Sequence, residues 1–248
     1  MIILSILFFV TALIYSSVGF GGGSTYLAIL LIWGVPYTIF PVIALVCNII
    51  VVSGNSINFL RSKNINFNLL FPYLIGSIPF AFIGGSITIE KSLFEILLFC
   101  VLLVAGIFLL IESKSFNKEQ IKINKIPRLI TISIGSIIGF MSGIVGIGGG
   151  IFLSPLLFLM KAGYPRHITS SASLFILINS IFGIAGQLTK DQVLNQVIIY
   201  WPLFLSVFIG GQIGSVLNIK FLSNKILALL TSFLVIFVAI RMGIKLVA

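Results

Sequence analysis

The chain has 248 residues, 59% of them hydrophobic and 8% charged, with a mean hydropathy of +1.25, a composition outside the range of water-soluble domains. Its net charge of +10 would suggest nucleic acid in a soluble protein, but the Lys and Arg residues lie at the ends of apolar runs and in loops, where they face lipid headgroups. Runs such as 96–111 are apolar on every face, which excludes the alternating strands of a membrane β-barrel and leaves an all-α polytopic membrane protein.

Charge, proline and asparagine divide the chain into about eight apolar segments, near 2–33, 36–60, 68–88, 92–111, 128–160, 165–189, 196–218 and 222–246. The first run, Ile2 to Tyr15, has neither a basic leader nor a small-residue cleavage site and is expected to be retained. It leads into Ser17-Val18-Gly19-Phe20-Gly21-Gly22-Gly23. Each glycine weakens a helix by about 1 kcal/mol relative to alanine, so the cluster predicts an interruption within the span. The most polar stretch, Glu112 to Pro127, separates the fourth segment from the fifth. The fifth then repeats the cluster as Ile144-Val145-Gly146-Ile147-Gly148-Gly149-Gly150.

Other positions recur as well: Gly34-Val35-Pro36 with Gly163-Tyr164-Pro165, Asn48 with Asn179, Pro72 with Pro202, and Gly84 with Gly214. The expected organisation is two homologous four-segment transmembrane repeats, 1–111 and 128–248, joined by a cytoplasmic linker, 112–127, with the first helix of each repeat broken at its glycines. If eight segments cross, the face with both termini collects Arg61, Lys63, Lys114, Lys118, Lys122, Lys125, Arg128, Lys190, Arg241 and Lys245. The opposite face holds Lys91, Lys161, Arg166, Lys220 and Lys225, which predicts cytoplasmic termini. If the chain turns back at the glycines instead, each half has an odd number of passes and the repeats are inverted.

Irregular backbone at membrane depth needs protein or water around it, and each break starts a half-helix whose free N–H groups and partial positive charge attract an anion. The candidate binding residues are therefore Gly19, Gly21, Gly22, Gly23, Ser24, Asn48, Gly146, Gly148, Gly149, Gly150, Thr169, Ser170 and Asn179. The competing reading is packing, because Gly19 to Gly23 and Gly146 to Gly150 have the Gly-x-x-x-Gly spacing of close helix pairs. The acids, Glu90, Glu95, Glu112, Glu119 and Asp191, avoid the span centres, which disfavours a cation or proton carrier. His167 is a candidate switch, while Cys47 and Cys100 support neither a disulfide nor a metal site. No Lys-Ser/Thr follows the glycines as in a nucleotide loop, so no cofactor and no enzymatic role are expected.

The order Val145-Gly146-Ile147-Gly148-Gly149-Gly150-Ile151-Phe152-Leu153-Ser154-Pro155-Leu156, then His167-Ile168-Thr169-Ser170-Ser171, resembles the TauE/SafE sulfite exporter family across essentially the whole chain. The first half lacks a proline matching Pro155 and a Thr-Ser pair. The resemblance implies a permease in a bacterial cytoplasmic membrane that moves sulfite, sulfonates or related organic anions. The expected partners are that small anion and the bilayer, with a homo-oligomer left open. A non-transporting membrane subunit is the alternative.

Overall fold

The computed structural model describes residues 1–17, 19–63, 65–115, 123–124, 126–190 and 196–217, with single positions beyond 232. Most of the segment at 222–246, Val18, Asp191 and linker residues 116–122 and 125 lie outside the described residues. Among those described, the chain is helical and holds no strand. The helices are α1 (Ile2–Ser16), α2 (Gly23–Trp33), α3 (Phe40–Arg61), α4 (Phe67–Ser86), α5 (Lys91–Ser115), α6 (Arg128–Val145), α7 (Gly150–Leu159), α8 (Pro165–Gln187) and α9 (Trp201–Leu217).

Among the described residues six stretches are long and apolar enough to cross a membrane: Tyr37–Arg61, Phe67–Ser86, Lys91–Phe108, Arg128–Val145, Arg166–Gln187 and Ile198–Val216. Three shorter apolar helices, α1, α2 and α7, complete the described set, so the first and fifth predicted segments are each two helices. The first break does not continue the helix axis. Phe8 stacks on Tyr26 with ring centroids 4.8 Å apart, whereas 18 residues of unbroken helix would separate them by about 27 Å. Tyr15 Oη also shares a 2.7 Å hydrogen bond with Thr25 Oγ1. The chain therefore folds back at the glycines and α2 returns beside α1. At the second break, Gly149 lies against Ile138, 11 residues earlier, so α7 likewise leaves the line of α6.

The turn after α1 is built as a Schellman motif. Phe20 N–H donates to Tyr15 O and Gly19 N–H to Ser16 O, with Gly19 at φ +91° supplying the left-handed residue that closes it. Elsewhere small residues set helix separation. Gly135, Gly139 and Gly143 of α6 press on the Tyr73, Ser77 and Ala81 carbonyls of α4, and in return Gly76 and Gly84 press on Ile132 and Phe140. Residue numbers rise together along both helices, so α4 and α6 run parallel. Gly210 and Gly214 of α9 meet the Phe9 and Leu13 carbonyls of α1 in the same parallel sense, tied by Ser16 Oγ donating to Gly211 O at 2.6 Å.

Helices α3 and α8 cross antiparallel at the centre, Leu45 beside Gly183 and Ser56 Oγ 3.5 Å from Ser173 Oγ. The polar inventory of the spans is turned inward, with Asn48, Asn179, Gln187, Ser77 and Ser142 buried. Phe71, Ile75, Leu205 and Phe208 face outward, as a lipid-facing surface requires. Trp33, Tyr164 and Trp201 stand exposed at helix ends, the usual interfacial place for amphipathic rings.

Candidate functional site

The two breaks meet. A methyl group added at Gly23 would lie 2.5 Å from the Ile147 carbonyl oxygen, so the start of α2 and the turn before α7 are in backbone contact. Asn48 of α3, fully buried, closes the junction: its Nδ2 donates to Ile147 O at 3.0 Å. Around that amide lie Gly21, Gly23 and Gly148. Helix α2 starts behind Gly22 at φ +84° and α7 behind Gly149 at φ +77°, and no side chain caps either start. A side chain at these left-handed positions would be strained, and the uncapped starts leave backbone donors directed into the junction. Two helix N-termini of like partial charge thus point into one buried region.

Several buried polar atoms at this junction have no protein partner: Ser24 Oγ, Asn48 Oδ1 and Ser180 Oγ. A methyl at Gly148 would lie 3.1 Å from Ser180 Oγ, which puts that hydroxyl at the second break. Leaving such groups unpaired costs about 1–3 kcal/mol each, a cost that water or a guest at the junction would relieve. Each break is also covered by the start of a long helix. Thr169 of α8, with Phe59, lies against Gly19, and Pro41 of α3 lies against Gly146.

A cavity of about 490 Å³ opens next to the second break, bounded by the turn leading into α3 and its first residues (Tyr37, Thr38, Pro41), the end of α4 (Ser86), and the end of α8 with the turn after it (Gln187, Lys190). Lys190 is half-buried and its Nζ donates to Gln187 Oε1 at 2.9 Å. Gln187 is fully buried and its Nε2 donates to Gly143 O at 2.8 Å, in the last turn of α6 before Gly146. Burial pushes the Lys190 ammonium below its ordinary pKa.

The sequence matches the family described as Sulfite exporter TauE/SafE over residues 4–242. The chain belongs to the TauE/SafE family. It is 30% identical to a probable membrane transporter protein of Sinorhizobium fredii, over 93% of both chains. It is 29% identical to a probable membrane transporter protein of Methanocaldococcus jannaschii, over 88% of this chain and 85% of that one. A Sulfite exporter TauE/SafE family protein of Arabidopsis thaliana is 36% identical over 26% of this chain and 14% of its own. No solved structure matches.

In this TauE/SafE transporter the structure gathers Gly21, Gly22, Gly23, Ser24, Asn48, Gly148, Gly149 and Gly150 at one junction, with Gly19, Gly146 and Thr169 at its flanks. Ser170 is buried and its hydroxyl donates to His167 O at 3.2 Å within its own helix. Asn179 is fully buried and its Oδ1, like that of Asn48, has no protein partner. Its Nδ2 bonds Phe175 O in its own helix, and Ile176 takes the place against Gly21, Gly148 and Gly150. Sequence reasoning missed Ile176, Ser180, Gln187 and the packing of Lys190, because none departs from ordinary helix composition.

The difference between the asparagines is measurable. Asn48→Leu strips the Ile147 carbonyl of its side-chain donor and is expected to lower stability in detergent by about 1–3 kcal/mol. Asn179→Leu, losing a bond to a carbonyl within its own helix, is expected to cost less than about 1 kcal/mol. Equal losses in thermal unfolding would contradict this placement.

Proposed function

We propose that this transporter carries a small anion, such as sulfite, a sulfonate or a related carboxylate, with the junction of the two glycine breaks as its binding site. The observation that carries the reading is the convergence of two uncapped helix starts on buried, unpartnered Ser24, Asn48 and Ser180 oxygens. Backbone N–H groups and hydroxyls can donate to an oxyanion without the desolvation cost of a buried charge. Among the described residues no cluster of His, Cys, Asp or Glu suited to a metal gathers anywhere. As the breaks lie, they leave no room for a methyl between Gly23 and Ile147, so loading requires the junction to part. Packing alone accounts for the small residues but not for the orphaned oxygens. With the cell interior negative, export of one negative charge gains about 2.3 kcal/mol per 100 mV, which favours outward facilitated movement.

The junction follows from two homologous units. Gly22 against Thr11 corresponds to Gly149 against Ile138, and Gly214 against Leu13 to Gly84 against Phe140, each partner about 127–130 residues apart. Because α2 turns back on α1, the first unit has an odd number of crossings, and the antiparallel crossing of α3 and α8 fits inverted units. This changes the expected orientation. Among the described residues the linker face gains Lys161 and Arg166, while the opposite face holds Lys91 and Lys190. The linker is then cytoplasmic and the N-terminus lies outside the cytoplasmic membrane of a bacterial cell.

Two measurements test these readings. In proteoliposomes, Ser24→Ala and Ser180→Ala are each expected to leave unfolding temperatures near those of the parent protein while reducing anion flux about 5- to 30-fold. Unchanged flux, or no flux of sulfite, sulfonates or short carboxylates through the parent protein, would defeat the proposal. For orientation, epitopes placed at the N-terminus and between Asn117 and Lys118 are expected to be reached by antibody in intact spheroplasts only at the N-terminus. The opposite pattern would restore cytoplasmic termini.

A further inference from the structure

The cavity beside the second break has a lining suited to one sign of charge. Among the described residues that line it, Lys190 carries the only formal charge, and none is Asp or Glu. The rest of its polar wall is hydroxyl and amide, from Tyr37, Thr38, Ser86, Thr88 and Gln187. An ammonium has three donors. One is spent on Gln187 Oε1, the single acceptor it meets among the described residues. Among the described residues the half-buried cation is therefore balanced by a neutral amide and not by a carboxylate, and its remaining donors meet no other acceptor there. The amide that holds it is fully buried and fixed at its other end by Gly143 O, so Lys190 is a positioned charge and not a swinging surface side chain. Pro41 and Ile144 form the wall towards the glycines, and Pro41 is the residue packed on Gly146. The cavity is thus separated from the second break by one layer of backbone.

We propose that this cavity is a second anion site, in which Lys190 captures an oxyanion before it reaches the glycine junction and Gln187 is the positioning residue that holds Lys190. The identity of the guest as the transported anion rests on the transport reading above; the binding of an oxyanion at Lys190 does not. A volume of about 490 Å³ admits sulfite or methanesulfonate with several waters.

The test uses the full chain in detergent and in liposomes. Lys190 acetylation by an amine-reactive ester, measured by mass spectrometry, is expected to fall several-fold and saturably as sulfite or methanesulfonate is raised at constant ionic strength. Labelling of exposed Lys63 should be unchanged. In liposomes Lys190→Gln is expected to raise the KM for the anion about 10- to 100-fold with the maximal rate retained, and Lys190→Arg to restore it. Lys190 labelling indifferent to both anions, together with an unchanged KM in Lys190→Gln, would overturn the site. If Lys190→Gln fails to fold, protection of Lys190 in the parent protein and the KM of Lys190→Arg still decide. Protection of Lys190 in a protein that moves no anion would support the site and defeat the transport reading. Normal flux with neither protection nor a KM change would defeat the site alone.

Discussion

The hydrogen bond from Asn48 to the Ile147 carbonyl, and the backbone contact of Gly23 with the same carbonyl, join two chain reversals that lie more than 120 residues apart. That contact constrains the rest of the fold. A backbone can approach another this closely only where it carries no side chain on the contacting side, which fixes glycine at position 23. The reversals themselves need left-handed residues, supplied by Gly19, Gly22, Gly146, Gly148 and Gly149. Short apolar helices such as α2 and α7 cannot span the bilayer alone, so each must be held by longer neighbours. The parallel pairs α4 with α6 and α1 with α9, drawn together on glycine stripes, provide those walls.

The junction has an electrostatic tension that the fold does not relieve from within. Two helix starts direct partial positive charge inward, and no charged side chain is among their nearest neighbours in the described residues, which include the Asn48 amide, Ile138, Phe175 and Ile176. The two sides of the junction are unequal. Asn48 offers a donor and an acceptor where α3 meets the glycines, and Ile176 offers only bulk where α8 does. An asymmetric site of this kind would hold an anion more firmly from one side than the other, as a carrier with a preferred loading face does. The cavity at Lys190 lies on the end of the protein where α3 starts and α8 ends, so it extends this asymmetry towards one membrane surface.

Much of this was legible in the residues. Proline and asparagine mark the helix starts, as with Asn66, whose Oδ1 accepts from Leu69 N–H at the head of α4. The glycine clusters mark both breaks. Whether the chain continues or turns back was not legible, because glycine permits either. The choice is made by Phe8 on Tyr26 and Tyr15 on Thr25, contacts that no local pattern announces. The match of Asn48 with Asn179 does not extend to the glycine contacts, which Ile176 makes in the second half. It is offset by 131 residues while the glycines are offset by 127, a difference of about one helical turn, and residues one turn apart share a face. Lys190 read as a headgroup-facing charge because burial depends on the ends of α3 and α4, which are distant in sequence.

The central claim is that an oxyanion sits between the two helix starts. Selenite, a heavier analogue of sulfite, can be located by its anomalous scattering in crystals grown with it. The account expects a selenium peak within hydrogen-bonding reach of Ser24 Oγ and the backbone amides that open α2 and α7. Full occupancy elsewhere, with the Asn48 to Ile147 junction unchanged and empty, would contradict it.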